Sequence, residues 1–432
     1  MRYLSLIFFT FSLCISYARD SNNDLTEKII SAFATNWQFH GYAQIVPFLD
    51  GRDFSNKTYP LTHTEMKLRF GVSKKVLDIF EFNMQVQDSR IWGQEEGLTS
   101  NSKNLDLIIG YLQFNNILNT SLSAQLGRFQ LNYANSRFLG NSPWSYYERA
   151  YDGIRLIYEK NSFRTDIFYA NTGSEIIKPY KPLPSEYEYP SSELEDRSML
   201  GFWINLRTFE NHDLHFFLYR ELHPKTSDEE NNELDRISAG FNWFGNIGNF
   251  SPSIEFGYQF GNMANKDIAS YLFSFKTDYN MRNWVFTAGT DWLSGTDPQS
   301  NDEFNTYQVD LGAKHKFFGR MDYFSKPVPG TNNLGVNDFY IGARLGKKDW
   351  KWNYHLFAHL FVSNQKSSEG KNLFGEEFDL RIIHFPVEGV SVEWANGIFF
   401  PSELMRSLYR TESGEIRKDP GFQSYIRIRA DI

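Results

Sequence analysis

The chain has one cysteine, Cys14, and it lies close to the N-terminus. Everything downstream is therefore without a disulfide, a cysteine-ligated metal or a cysteine nucleophile. Beyond the N-terminus no stretch reaches the roughly 18 consecutive apolar residues that a membrane-crossing helix needs. Catalytic signatures are missing too. There is no Gly-x-Ser-x-Gly elbow, and the nine histidines include no His-Glu-x-x-His pair. His355 and His359 are four apart, which on a strand puts both on one face instead of making a helical metal pair. No cofactor, no metal and no enzymatic activity are expected. Surplus positive charge is lacking as well: the formal net charge is −8, which argues against nucleic acid as a partner.

The N-terminus itself reads as an export leader. Arg2 supplies the positive start, Leu4 to Ile15 is apolar apart from Ser and Thr, and Ser16-Tyr17-Ala18 offers a small-residue cleavage site. Cleavage after Ala18 would remove Arg2 and Cys14, leaving −9 and no thiol. A lipoprotein reading through Cys14 is the weaker one, because Leu13 stands where a small residue is wanted. The expected organisation is a leader at 1–18, a short periplasmic segment at 19–36 with a helix at Asp24–Ala34, and one unit over 37–432.

The chain is rich in aromatics, 17% of residues, and still 22% charged. Such a mixture suits alternating strands. Period-two alternation recurs throughout. Met66, Leu68, Phe70 and Val72 alternate with Glu65, Lys67, Arg69 and Gly71. Ile237, Ala239, Phe241 and Trp243 alternate with Arg236, Ser238, Gly240 and Asn242. Side chains on a strand point to opposite faces, so each segment carries one apolar and one polar face. Short connections such as Ser73–Asp78 and Glu159–Ser162 alternate with longer ones such as Gln130–Ala150, Asn171–Ser198 and Ser294–Val336. The rhythm predicts an all-β chain: a single-chain, transmembrane, antiparallel β-barrel of about 18 strands. Thr306–Gly312 also alternates, but counting it would make the number odd, so it is assigned to the long Ser294–Val336 loop, folded into the lumen. Trp37, Tyr158, Tyr169, Trp243, Tyr258, Trp284, Trp292 and Trp394 fall near strand ends, as interfacial girdles do. An outer-membrane location of the Gram-negative type follows.

A barrel this wide leaves an aqueous channel lined by the polar parity. Basic residues cluster at Gly127-Arg128-Phe129-Gln130, at Ser136-Arg137-Phe138-Leu139-Gly140, and at Glu148-Arg149-Ala150-Tyr151-Asp152-Gly153-Ile154-Arg155. This pattern resembles the alginate export family of outer-membrane barrels. Further matches are Gln85-Val86-Gln87-Asp88-Ser89-Arg90 with Trp92-Gly93, His315-Lys316-Phe317-Phe318-Gly319, Met321-Asp322-Tyr323-Phe324 and Gly375-Glu376-Glu377-Phe378-Asp379-Leu380. Phe129 interrupts the family's Gly-Arg-Gln, and Tyr151 and Ile154 replace Phe and Val.

The resemblance implies a passive, polysaccharide-conducting channel. The residues expected along the solute pathway are Arg90, Arg128, Arg137, Arg149, Asp152, Arg155, Arg320, Asp322, Arg344, Glu377, Asp379 and Arg381, with Asp88 and His315 carried over by motif. Expected partners are outer-membrane lipid, an anionic saccharide or small anionic solute, and periplasmic secretion or uptake components. The barrel is expected to be monomeric. Alternatives are a barrel with a surface binding or structural role, through the proline-rich Asn171–Ser198 loop, and an outer-membrane hydrolase.

Overall fold

The computed structural model describes residues 35–93, 104–173, 197–207, 209–223, 233–347, 349–408 and 417–432. The leader, the proposed periplasmic helix and the prolines of the Asn171–Ser198 connection lie outside these residues. The described residues form eighteen strands. They are β1 (Gln38–Gly51), β2 (Leu61–Val76), β3 (Phe80–Ile91), β4 (Leu105–Phe114), β5 (Leu122–Phe129) and β6 (Tyr151–Lys160). Next come β7 (Phe163–Gly173), β8 (Arg197–Leu206), β9 (His212–His223), β10 (Leu234–Gly245), β11 (Phe250–Met263) and β12 (Lys266–Met281). The last are β13 (Trp284–Leu293), β14 (Val336–Leu345), β15 (Trp352–Val362), β16 (Leu373–His384), β17 (Val390–Pro401) and β18 (Gly421–Asp431).

Each strand pairs antiparallel with its neighbours in sequence, and β18 returns to β1 with Tyr42 opposite Asp431, Ile45 opposite Ile428 and Gly51 opposite Phe422. The sheet is a closed barrel, the arrangement that leaves no unpaired edge for lipid to meet. Thr306–Gly312 stays outside the strands, within the β13–β14 connection. One hairpin on the long-loop side is short: Ala264 and Asn265 alone join β11 to β12, both in the left-handed region at φ 50° and 64°. Two consecutive positive φ values make the turn whose twist matches a hairpin.

The outer face carries the apolar parity. Leu200, Phe216, Phe286, Ile341, Leu356 and Ile428 are exposed there, and Tyr169, Tyr258, Trp284, Trp292 and Trp394 also stand outward, Trp284 and Trp292 at the two ends of β13. The inner face is not an empty pore. A contiguous apolar cluster joins loop residues Leu131, Phe138, Tyr307, Phe318 and Phe324 to wall residues such as Trp203, Phe217, Phe361, Phe374 and Phe399. The barrel thus buries its core inside, beneath connections that fold inward, chiefly residues 130–150 and 294–335 among those described. Ile341 lies midway along β14 and faces outward. Its replacement by Arg should destabilise the vesicle-refolded barrel by about 2–4 kcal/mol in a denaturant titration.

Candidate functional site in the lumen

The first inward connection, residues 130–150, leaves β5 and crosses the lumen. Ala134 and Ser136, at φ 50° and 71°, turn it back on itself. On one side the Tyr133 hydroxyl donates to Asp166 at 2.9 Å, and its ring stacks on Trp203 at 4.6 Å. Arg137 goes deeper. Its Nε donates to Glu255 at 2.9 Å, Nη1 lies 3.0 Å from Asp291, Nη2 donates to Ser274 at 3.1 Å, and the guanidinium sits 3.9 Å above Phe317. Two carboxylates and an aromatic face hold this charge out of water, and its affinity for its proton rises despite the burial that opposes it. On the far side Glu148 reaches Arg69 at 2.9 Å and accepts from the Tyr42 hydroxyl at 2.9 Å. Burial pushes the Glu148 carboxyl up, but Arg69, Lys67 and the Tyr42 hydrogen bond outweigh it and hold it below the usual carboxylate range. Lys67 Nζ donates to the Pro143 carbonyl at 2.8 Å. One connection is thereby fastened to β7, β11 and β13 on one side and to β1 and β2 on the other.

The second inward connection, residues 294–335, locks onto the first. Arg149 donates to the Gly140, Leu311 and Asp310 carbonyls, and backbone bonds run from Gly140 N to Leu311 O (2.9 Å) and from Ala313 N to Ser136 O (2.8 Å). Trp144 stacks on His315 with centroids 3.9 Å apart and planes 7° from parallel. His315 Nδ1 faces Asp322 at 2.9 Å, while Nε2 faces Arg320 Nη2 at 3.4 Å. Arginine can only donate, so Nε2 must accept, and the proton belongs on Nδ1, donated to Asp322. Burial pulls the His315 pKa down; Asp322 opposes this and Arg320 adds to it. Arg320 then reaches the wall, donating to the Tyr425 hydroxyl at 2.9 Å and approaching Glu393 at 3.4 Å.

Glu393 is the meeting point of three arginines. Arg381 donates to it from Nε (3.0 Å) and Nη2 (2.6 Å), Arg427 from Nη2 (2.6 Å), and Arg320 completes the set. Three guanidiniums against one carboxylate leave a local surplus of positive charge. Next to them, Arg344 and Lys276 share Asp278 at 2.7 and 3.3 Å. A cavity of about 480 Å³ lies under the second connection on the short-turn side, lined by Lys276, Lys316, Arg344, Arg381 and His355 among others. Among the described residues no group of three or more His, Cys, Asp or Glu side chains is arranged to hold a metal ion.

The residues expected along the pathway separate into three groups. Arg155, Arg344, Glu377, Asp379 and Arg381 stand on inward strand positions, and Arg137, Arg149, Arg320 and Asp322 ride on the two inward connections. Arg90, Arg128 and Asp152, together with Asp88, are instead on the outer face, and this corrects the expectation for them. The reason is parity. Phe129 and Tyr151 are buried inward, so Arg128 and Asp152, one residue away and directly paired, must point out, where they form a 2.8 Å ion pair. Gln87 and Ser89 point in, so Asp88 and Arg90 point out and pair with each other at 2.5 Å. Of the inward group, Arg137, Glu377 and Asp379 are fully buried, and Arg155 is spent on Asp166. Tyr42, Glu148 and the Trp144–His315 contact went unnoticed as functional, although Tyr42 sits on the polar parity of β1 with Gln44.

A closed eighteen-stranded barrel with an apolar outside and a charged, loop-filled inside defines an outer-membrane β-barrel of the channel class. Residues 50–407 match the alginate export family, and the chain belongs to that family. No curated protein matches the sequence. Among solved structures the fold is similar to OccAB4 of Acinetobacter baumannii, at 10% identity and a TM-score of 0.58 over 92% of this chain and 98% of that one. OccK11 (OpdR) of Pseudomonas aeruginosa is similar at 8% identity and a TM-score of 0.58, over 92% and 95% of the two chains. OccK8 (OprE) of the same organism is similar at 8% identity and a TM-score of 0.58, over 92% and 98%. These likenesses are likenesses of fold.

Replacing Arg137 by Ala would strand Glu255 and Asp291 in the interior. Loss of one partner from a buried pair costs about 3–5 kcal/mol, so the variant should lose that much in a denaturant titration and show larger, noisier single-channel currents. Acid should act on His315. In the unfolded chain it takes up a proton near pH 6.5, whereas in the folded chain it does so only at lower pH. Its contribution to the fold is thus complete above about 6.5 and is lost as pH falls below that value. Current fluctuations should grow between pH 7 and 5, and His315→Gln should flatten that dependence.

Proposed function

We propose that the barrel passes anionic saccharides or organic anions passively across the outer membrane, and that the arginines around Glu393 recognise the solute's carboxylates. The observation that carries this reading is the charge count at that point: among the described residues, Glu393 is the one carboxylate within ion-pair distance of Arg320, Arg381 and Arg427. A carboxylate entering the cavity can replace part of what Glu393 supplies, taking paired hydrogen bonds from a guanidinium. Because Glu393 remains as a competitor, the solute is held weakly enough to leave, as conduction requires. An anionic polymer would present such groups one after another. Arg344 and Lys276, tied to Asp278, form the next cationic point along the short-turn side. Arg137, Arg149 and Glu377 act instead by holding the two inward connections in place.

Several finer points belong to the same reading. Residues 1–18 are removed on export, so the working barrel is free of thiols. The closed sheet supports a monomer, because no strand edge is left to complete. Periplasmic partners would meet the short-turn face, and polymer export and solute uptake are both compatible with a passive route.

In planar bilayers under a salt gradient, the wild-type channel should show a reversal potential of anion-selective sign. Arg381→Ala and Arg427→Ala should each shift it toward zero, and the double variant further. A wild-type channel that prefers cations, or that never conducts, would overturn the proposal.

A further inference from the structure

Glu377 is an acid in the lumen wall of a barrel read as anion-conducting, and it is fully buried. It does not face the cavity and belongs to no ion pair among the described residues. What it touches is backbone. One oxygen, Oε1, accepts from the N–H of Arg320 at 2.6 Å and from the N–H of Met321 at 3.0 Å. The chain is shaped for this approach. Phe318, Gly319 and Asp322 all take positive φ, at 63°, 78° and 58°, folding residues 318–322 tightly. A Cβ on Gly319 would lie 2.4 Å from Oε1, so only glycine lets the carboxylate so close. On the other side Met321 is fully buried against Gly397, where a Cβ would come within 2.5 Å of Met321 Cγ. Arg320, held at its backbone by this arrangement, sends its side chain to Tyr425 and Glu393.

We infer that Glu377 is a positioning residue: it anchors the backbone of residues 319–321 to strand β16 and thereby places the Arg320 guanidinium at Glu393. The selectivity part of this inference rests on the reading of Arg320 as part of the anion route; the anchoring part does not. The geometry separates anchoring from charge. Glu377 Oε2 and both oxygens of Asp379, two residues along the same face, meet no N–H or hydroxyl donor of another side chain among the described residues. In Glu377→Gln the amide oxygen can still accept both backbone N–H groups, while the new NH2 donates to Asp379. The anchor then survives although the carboxyl group is gone.

The test uses the full barrel with Cys14→Ser, so that a reporter, Lys316→Cys on the cavity wall, is the sole thiol. Two readouts are taken on the wild type, Glu377→Gln, Glu377→Ala and Gly319→Ala: the rate at which a small charged methanethiosulfonate labels the reporter, and, with Lys316 restored, the bilayer reversal potential. Loss of two hydrogen bonds should raise labelling about tenfold or more in Glu377→Ala. Gly319→Ala should do the same with no change of charge, and Glu377→Gln should label at the wild-type rate. The reversal potential should move toward zero in Glu377→Ala and Gly319→Ala and hold in Glu377→Gln. On an Arg320→Ala background, Glu377→Ala should then move it no further. Retained heat-modifiable gel mobility identifies variants that still close. Equal behaviour of Glu377→Gln and Glu377→Ala would overturn the anchor and make the residue an electrostatic one, as would unchanged labelling in both Glu377→Ala and Gly319→Ala. Labelling that rises while the reversal potential stays fixed keeps the anchor and sinks the selectivity role of Arg320.

Discussion

Inside hydrocarbon a backbone N–H or C=O without a partner costs several kcal/mol, and that single constraint organises this protein. It forces the strand that ends the chain to return to the first, through the seam between Ile45 and Ile428. Closure fixes the strand number, and eighteen strands enclose more space than their own side chains can fill. Among the described residues, the 130–150 and 294–335 connections do most of the filling, helped by Phe54, Leu404 and Met405. The inner apolar residues that a soluble sandwich would share between two sheets are here shared between wall and connection, as where Phe324 meets Phe361 and Phe374 at 4.5 and 5.1 Å.

Once the connections are inside, they carry backbone and charge into a space with little water, and each must be satisfied locally. Arg149 consumes three carbonyls of the two connections, and Arg137 takes two wall carboxylates. The many acids of the lumen are thus mostly structural counterweights to arginines, not a cation route. Among the described residues, cationic groups outnumber carboxylates around Glu393 and again at Asp278, where Arg344 and Lys276 share one acid.

Much of this architecture was legible in the sequence because alternation is a local property. The strand number followed from it, and so did the placement of Thr306–Gly312 in a connection. Arg344 and Arg381, expected along the solute pathway, do stand on inward positions. Arg90, Arg128 and Asp152 were misplaced because a motif does not carry parity: one residue of offset turns a side chain from lumen to lipid. The loop-to-wall contacts were beyond reach for a different reason. Arg137 meets Glu255 across 118 positions and Arg320 meets Tyr425 across 105, and no period links such partners. The Trp144–His315 stack joins two irregular segments, where side-chain direction follows no repeat at all.

Arg320 belongs to the second inward connection, whereas Glu393, Arg381 and Arg427 belong to the wall. Any displacement that withdraws the second connection takes one guanidinium with it and lowers the local surplus around Glu393 from two charges to one. Bore and filter are therefore not independent settings. A wider aperture is at once a less discriminating one, and a bulky solute that forces its way through does so past a weaker field than a small one meets.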